Sequence, residues 1–233
     1  MILSIVVPLY NEQLIIKKNI EKIYNYFSNK FEFEIIAVND GSIDNSLELI
    51  KNMNLKNLII INNPYNLGKG NAIKKGVLNS KGKIVLITDT DLSASIDQFI
   101  ILYNKHLEGY DIVIGSRNTK DAKILKKQSI QRIIAGKVFS FCIKKILKLD
   151  FKDTQCGFKL FNGLAIRKLM SHSVINRSCV DVEILFLAKK FNLKVYEAGI
   201  IWKNDTVSSV RLFRDSINMF IDLLKIKFNN YTL

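Results

Sequence analysis

The chain has 233 residues, with 35 Lys and Arg against 21 Asp and Glu, a formal charge of +14 at pH 7. Hydrophobic residues make up 48% and charged residues 24%, which excludes a disordered or fibrous chain and supplies a full core for one domain spanning 1–233. Apolar stretches are broken by Lys or Asp short of the ~18 residues a spanning helix needs, so neither a signal peptide nor a transmembrane anchor is expected.

Three cysteines, Cys142, Cys156 and Cys179, form no CxxC pair and stand with only 2 His, which speaks for reduced thiols in a cytoplasmic protein and against zinc. The positive charge by itself fits nucleic acid, an anionic membrane or phosphorylated substrates. No nucleic-acid motif is present, and the heavy use of Ile, Lys and Asn fits an AT-rich genome, so no nucleic-acid partner is expected.

The first half alternates short β-branched apolar runs with segments of helical period. Strands are expected at 2–9, 33–39, 58–62, 83–88 and 111–115, continuous enough to be buried on both faces of a mostly parallel sheet. Helices are expected at 12–27, 44–52, 70–79 and 96–106, with Ser42 or Asp44 and Asp97 suited to their N-termini. After Arg117 come a basic helix at 129–149, a polar loop at 153–161, a helix at 181–191, a strand at 194–202 and a terminal amphipathic helix at 211–228. The pattern is α/β, a Rossmann-like sheet with helices on both faces, and such sheets bind ligands at the carboxyl ends of their strands.

Three polar clusters fall on that edge: Pro8-Leu9-Tyr10-Asn11-Glu12, Asn39-Asp40-Gly41-Ser42 and Asp89-Thr90-Asp91. A carboxylate after the second strand suits a nucleoside, while the missing GxGxxG disfavours a dinucleotide. Asp89 and Asp91 directly follow the apolar run Ile84-Val85-Leu86-Ile87. They are hard oxygen ligands for Mg²⁺ or Mn²⁺ bridging a diphosphate, with a capped turn as the other reading. Gly68-Lys69-Gly70-Asn71 opens a helix, either as a phosphate-holding loop or as a tight turn with a solvated lysine.

Together these segments, with Asn66-Leu67-Gly68-Lys69-Gly70 and Asp89-Thr90-Asp91-Leu92-Ser93, resemble glycosyltransferase family 2, inverting nucleotide-sugar enzymes of GT-A fold. Asp153-Thr154-Gln155-Cys156-Gly157-Phe158-Lys159-Leu160-Phe161 and Asp181-Val182-Glu183 resemble the branch that glycosylates polyprenyl phosphates, especially the dolichyl-phosphate β-glucosyltransferases. Ser93 stands where the related mannose synthases often carry a metal-side Gln, which weighs against mannose.

The resemblance implies that Pro8, Tyr10, Glu12, Asp40, Lys69, Asp89 and Thr90 bind the nucleotide, that Asp89 and Asp91 hold the metal, and that Arg117 and Arg132 meet the acceptor phosphate. It divides the chain into a nucleotide-sugar half, 1–117, and an acceptor half, 118–233. It implies UDP-glucose as donor, a polyprenyl phosphate acceptor and a peripheral place on the cytoplasmic membrane face, with a membrane-protein partner as a further option. A family 2 enzyme with a sugar-hydroxyl acceptor, or a non-catalytic nucleotide-sugar-binding module, are the rival expectations.

Asp91 and Asp153 are the candidate catalytic carboxylates; Asp153 is open to a base or acceptor-positioning role and equally to bracing its loop. Asp181 and Glu183 flank the start of a helix, where a dipole-favoured cap is the first reading and a role in the site the other. On a helical wheel Lys137, Lys144 and Lys148 share one face of the basic helix with Phe141, opposite Val138, Phe139, Cys142, Ile146 and Leu149, a pattern suited to an anionic leaflet or to packing on a core. In the terminal helix Leu212, Phe213, Phe220, Leu223 and Leu224 oppose Arg211, Asp215 and Asp222, and Arg211 and Arg214 are further candidates for the diphosphate.

Overall fold

A computed structural model describes residues 3–126, 129–203 and 212–231, except for the side chains of Arg132 and of residues 212–216. The expectations placed on Arg211, and on the side chains of Arg132, Leu212, Phe213, Arg214 and Asp215, lie outside the described residues.

The strands β1 (Leu3–Leu9), β2 (Phe33–Asn39), β3 (Leu58–Asn62), β4 (Ile84–Ile87) and β5 (Ile112–Ser116) follow the apolar runs closely. Between them lie α1 (Ile16–Phe27), α2 (Ser46–Lys51), α3 (Lys69–Leu78) and, after a 3-10 turn at Ile96–Gln98, α4 (Phe99–Leu107). The first helix starts four residues later than the sequence suggests, because Asn11 takes a left-handed φ of 56° and the Ile15 and Ile16 N–H groups close a turn onto the Glu12 carbonyl.

The second half adds β6 (Lys123–Lys126), α5 (Ile130–Leu147), β7 (Lys159–Asn162), α6 (Gly163–His172), α7 (Val180–Lys190), β8 (Val195–Gly199), β9 (Ile201–Lys203) and α8 (Leu212–Phe228). The main sheet has 7 strands in the order β3-β2-β1-β4-β7-β5-β8; β7 alone is antiparallel to its neighbours. Strands β6 and β9 form a separate parallel pair. One apolar layer packs α1, α2 and α4 on the sheet, and the other packs α3, α5, α6, α7 and the end of α8.

Three expectations are corrected. The polar loop ends earlier than expected, because Lys159–Asn162 is an interior strand: its lysine is 1% exposed and tolerable there only because its charge is paired. The last strand is two, since Ile200 leaves the main sheet and hands the chain to β9.

The helical wheels are right in part. Leu149 and Leu223 are buried and Phe139, Cys142 and Ile146 pack on the core as expected, but Val138, Phe220 and Leu224 are exposed, and Ile143, Leu147 and Ile226, which the wheels leave out, are buried, because α5 and α8 pack on each other as well as on the sheet. Lys148 leaves the lysine face altogether, its φ of 54° ending α5.

Candidate active site

The carboxyl edge gathers the loops after β1, β2 and β4 with those leading into α3, β7 and α7. At its nucleoside end the polar groups are bound to backbone. Buried Asp40 accepts from the Leu67 N–H at 3.0 Å, the Gly68 N–H at 2.8 Å and the Asn63 amide at 2.8 Å, so its carboxylate folds the loop that starts α3.

Gly41 (φ 68°) and Gly68 (φ 103°) are required there: a Cβ would come within 2.3 Å of the Tyr65 carbonyl carbon and of the Asn176 oxygen, respectively. Thr90 donates to the buried Pro8 carbonyl at 2.8 Å and accepts from Asn19 on its own, which ties β1 to β4. Tyr10 is open to solvent, and the Glu12 N–H is held by Ser46 Oγ at 2.7 Å.

The middle of the edge is a charge cluster. Lys69, the first residue of α3, lies 2.7 Å from Asp89 Oδ1 and 3.6 Å from Asp181 Oδ2. The other oxygen of Asp181 holds Lys159 at 2.5 Å, and Lys159 also donates to the Cys156 carbonyl. Burial alone would lower the Lys69 ammonium, but Asp89 and Asp181 outweigh it and keep its pKa above that of a free lysine. Burial would likewise raise Asp89, but Lys69 holds its carboxyl below the usual range.

Gly157 touches the same carboxylate: a Cβ there would stand 1.9 Å from Asp89 Oδ2. Asp91 accepts from the Ser93 N–H at 2.9 Å. Burial pushes its carboxyl up, the Ser93 N–H pulls it back, and the charge of Asp89 pushes it up again, leaving it above the ordinary value.

Asp89 and Asp91 border a shallow cleft walled by Cys156, Gly157, Phe158 and Trp202. Burial raises the Cys156 thiol to about 11, so it is an uncharged wall, not a nucleophile. Beside the cleft, Arg117 is gripped by Asp153 through Nε (2.7 Å), Nη2 (2.8 Å) and its own backbone N–H (2.9 Å), and its guanidinium lies 5.4 Å from the Trp202 ring centre. Glu197 from β8 accepts from the Lys152 and Asp153 N–H groups and so carries the Asp153 loop. The pairing keeps Asp153 well below the usual carboxylate range in spite of its burial.

The structure thus brings Lys69, Asp89, Asp91, Arg117 and Asp153 together, and keeps Pro8, Asp40 and Thr90 under them as supports. Sequence reading missed Gly157, Lys159, Trp202 and Glu197, and put a cap first for Asp181. Asp181 and Lys159 had a signal: each is a charge set within an apolar run, which calls for a buried partner. Glu183, the other expected cap, is also internal, accepting from Ser173, the Val174 and Ile175 N–H groups and Tyr231. It anchors the 173–177 turn on which Gly68 and Gly70 pack.

Among the described residues no group of three or more His, Cys, Asp or Glu forms a ready-made metal cage. The two carboxylates offer hard oxygen donors of the kind that would hold a divalent ion.

A mostly parallel sheet with one inserted antiparallel strand and an Asp-x-Asp at the end of β4 is the GT-A architecture of nucleotide-sugar enzymes. The family model described as Glycosyl transferase family 2 matches residues 4–170, and the chain belongs to that family. It is 35% identical to a dolichyl-phosphate beta-glucosyltransferase of Trichomonas vaginalis, over 96% of this chain and 72% of the relative. It is 33% identical to the enzyme of that name from Dictyostelium discoideum, over 97% and 74%.

Among solved structures, glucosyl-3-phosphoglycerate synthase from Mycobacterium tuberculosis with Mn²⁺, uridine diphosphate and glucosyl-3-phosphoglycerate superposes with a TM-score of 0.70 at 16% identity, covering 97% of this chain and 80% of that one. Mannosyl-3-phosphoglycerate synthase from Rubrobacter xylanophilus gives 0.70 at 17%, covering 97% and 72%. These two likenesses concern the fold.

Proposed function

We propose that the protein transfers glucose from UDP-glucose to a polyprenyl phosphate, with inversion to a β-linked product, at the cytoplasmic face of a membrane. The observation that carries this reading is the Arg117–Asp153 pair beside the Asp89/Asp91 cleft. Asp153 has both oxygens engaged by Arg117 and is a poor base, which suits an acceptor that needs none: a lipid phosphate is already ionised near neutral pH. Arg117 Nη1 and the second Nη2 hydrogen remain for that phosphate, and Asp153 acts as the group that aims them. The full-length likeness to dolichyl-phosphate beta-glucosyltransferases supports the same donor and acceptor.

In this reading Asp89 and Asp91 hold Mg²⁺ or Mn²⁺. The ion, when bound, neutralises charge building on the departing diphosphate. Lys69, at the N-terminal end of α3, adds a second positive group there. Tyr10, Glu12 and the loop folded by Asp40 frame the nucleoside, Trp202 and Phe158 shield the hexose from water, and Arg117 aligns the acceptor oxygen opposite the leaving group.

Among the described residues no helix is long and apolar enough to cross a membrane. The outer face of α5 nevertheless exposes Ile130, Ile134, Val138 and Phe141 at helical spacing, with Phe141 62% exposed and Lys145 over its ring. With Lys137 and Lys144 on the same helix and Ile217, Phe220, Ile221 and Leu224 on α8, this surface suits an anionic leaflet carrying the acceptor.

Purified protein with Mg²⁺ or Mn²⁺ should move label from UDP-glucose, and not from GDP-mannose, into chloroform-extractable lipid when given dolichyl or undecaprenyl phosphate. Label found only in a sugar-hydroxyl acceptor, or nucleotide-sugar binding without turnover, would replace this reading.

A further inference from the structure

Lys69 stands between two carboxylates of different exposure, Asp181 at 6% and Asp89 at 41%. Asp181 is fixed, its side chain 6% exposed and one oxygen bound to Lys159, which is held in turn by the Cys156 carbonyl. Asp89 is more open, but Gly157 closes one side of it, since a Cβ there would stand 1.9 Å from its Oδ2. The long Lys69 side chain is the part able to move. Its backbone is pinned where Gly68 and Gly70 pack on the 175–177 turn and where the Asn71 N–H donates to the Asn176 carbonyl at 3.0 Å.

We propose that Lys69 is an exchangeable counter-cation. It holds Asp89 before the donor binds and leaves that carboxylate for the donor's diphosphate as the divalent cation arrives, with Asp181 as the positioning residue that anchors its new place. The proposal rests on the metal and diphosphate reading above. An ammonium 2.7 Å from Asp89 Oδ1 competes with a divalent ion for that oxygen and repels it at contact range.

The diphosphate removes the conflict by drawing the ammonium toward its own negative charge. Lys69 remains within reach of Asp181 throughout, so the buried Asp181–Lys159 pair need not rearrange. Metal and nucleotide are therefore coupled through one side chain, and the coupling is reciprocal.

Mn²⁺ binding followed by the loss of the free-ion EPR signal tests this, with and without UDP, on the wild type, Lys69→Met and Lys69→Arg. Wild type should bind Mn²⁺ weakly alone and more tightly with UDP. Lys69→Met should bind Mn²⁺ alone about tenfold more tightly, and UDP should then add much less, a size within the ordinary range of coupling between sites. Lys69→Arg, which keeps the charge, should resemble the wild type.

Asp181→Asn, checked for folding by circular dichroism, should bind Mn²⁺ alone more weakly, since Lys69 then has Asp89 as its one carboxylate; if that variant fails to fold, the two Lys69 variants decide the matter. UDP-dependent Mn²⁺ binding that Lys69→Met leaves unchanged would keep the metal site and overturn the exchange. Mn²⁺ that binds neither alone nor with UDP would overturn the metal reading and the exchange with it.

Discussion

At the ends of β1 and β2 the polar side chains serve the backbone, Asp40 folding the Gly68 loop and Ser42 holding the Asn11 N–H, whereas at the ends of β4 and β5 the charged side chains serve one another. The first region is built on backbone: several N–H groups converge on one carboxylate, and the Lys75 ammonium bonds at 2.6 Å to Asn63 Oδ1 instead of to that carboxylate. The second sets Lys69 and Lys159 against Asp89 and Asp181, and Arg117 against Asp153, with Asp91 left as a carboxylate of raised pKa. A buried charge keeps its position only if its partner does, so the second region is sensitive to a single substitution in a way the first is not.

The contrast is broken most severely at Asp153. Asp153→Asn leaves Arg117 partly buried without its counterion and should cost about 3–5 kcal/mol in urea unfolding at neutral pH. The folded carboxyl lies below the ordinary value of 3.8. Its contribution is therefore complete above that value and disappears as pH falls through the lower folded pKa, and the variant should lose less stability than the wild type between neutral and strongly acidic pH. Equal stability of the two proteins at neutral pH would mean that the pair is not structural.

Asp89→Asn keeps shape and removes charge. It should lower transfer to lipid about 10²–10³-fold, as the loss of one electrostatic contact to a developing charge does elsewhere, while the thermal midpoint stays near that of the wild type. Full transfer by this variant would remove Asp89 from the site.

Gly157→Ala sharpens the comparison, since it adds a methyl group and changes no charge. With a Cβ 1.9 Å from Asp89 Oδ2, transfer should fall about 100-fold through misplacement of the carboxylate. Gly136→Ala, where no atom lies within 4 Å and φ is not left-handed, is the control for an added methyl group. The smallest effect is expected at the surface: Phe141→Ser should leave stability within about 0.5 kcal/mol. It should weaken binding to anionic vesicles roughly tenfold, the share of one exposed aromatic.

Strands β1 to β5 and most of the helices between them were legible because each strand is a predominantly apolar run, with Ser4 in β1 and Glu34 in β2 as exceptions, of the kind that a sheet covered on both faces requires. The Asp89-x-Asp91 pair and the Gly68-Lys69-Gly70 turn were legible for a related reason, since they stand directly beyond those runs or before a helix, where a polar cluster marks the functional edge. Strand β7 was not legible: its four residues begin with a lysine, and short polar-led strands carry no period of their own. The inward faces of α5 and α8 were legible only in part, Leu149 and Leu223 but not Ile143, Leu147 or Ile226, because a helical wheel shows that an apolar face exists without showing how many neighbours it meets.

The sequence by itself determined the fold class, the polar edge of the sheet and the family, because periodicity, strand-end chemistry and motif order are local properties that survive without coordinates. Tertiary structure alone decided that Asp181 and Lys159 join Lys69 in one charge cluster, that Gly157 lies against Asp89, and that Asp153 is committed to Arg117. These pairs come from segments separated by 22 to 112 positions, and a charge carries no mark in the chain of the partner that burial will require of it.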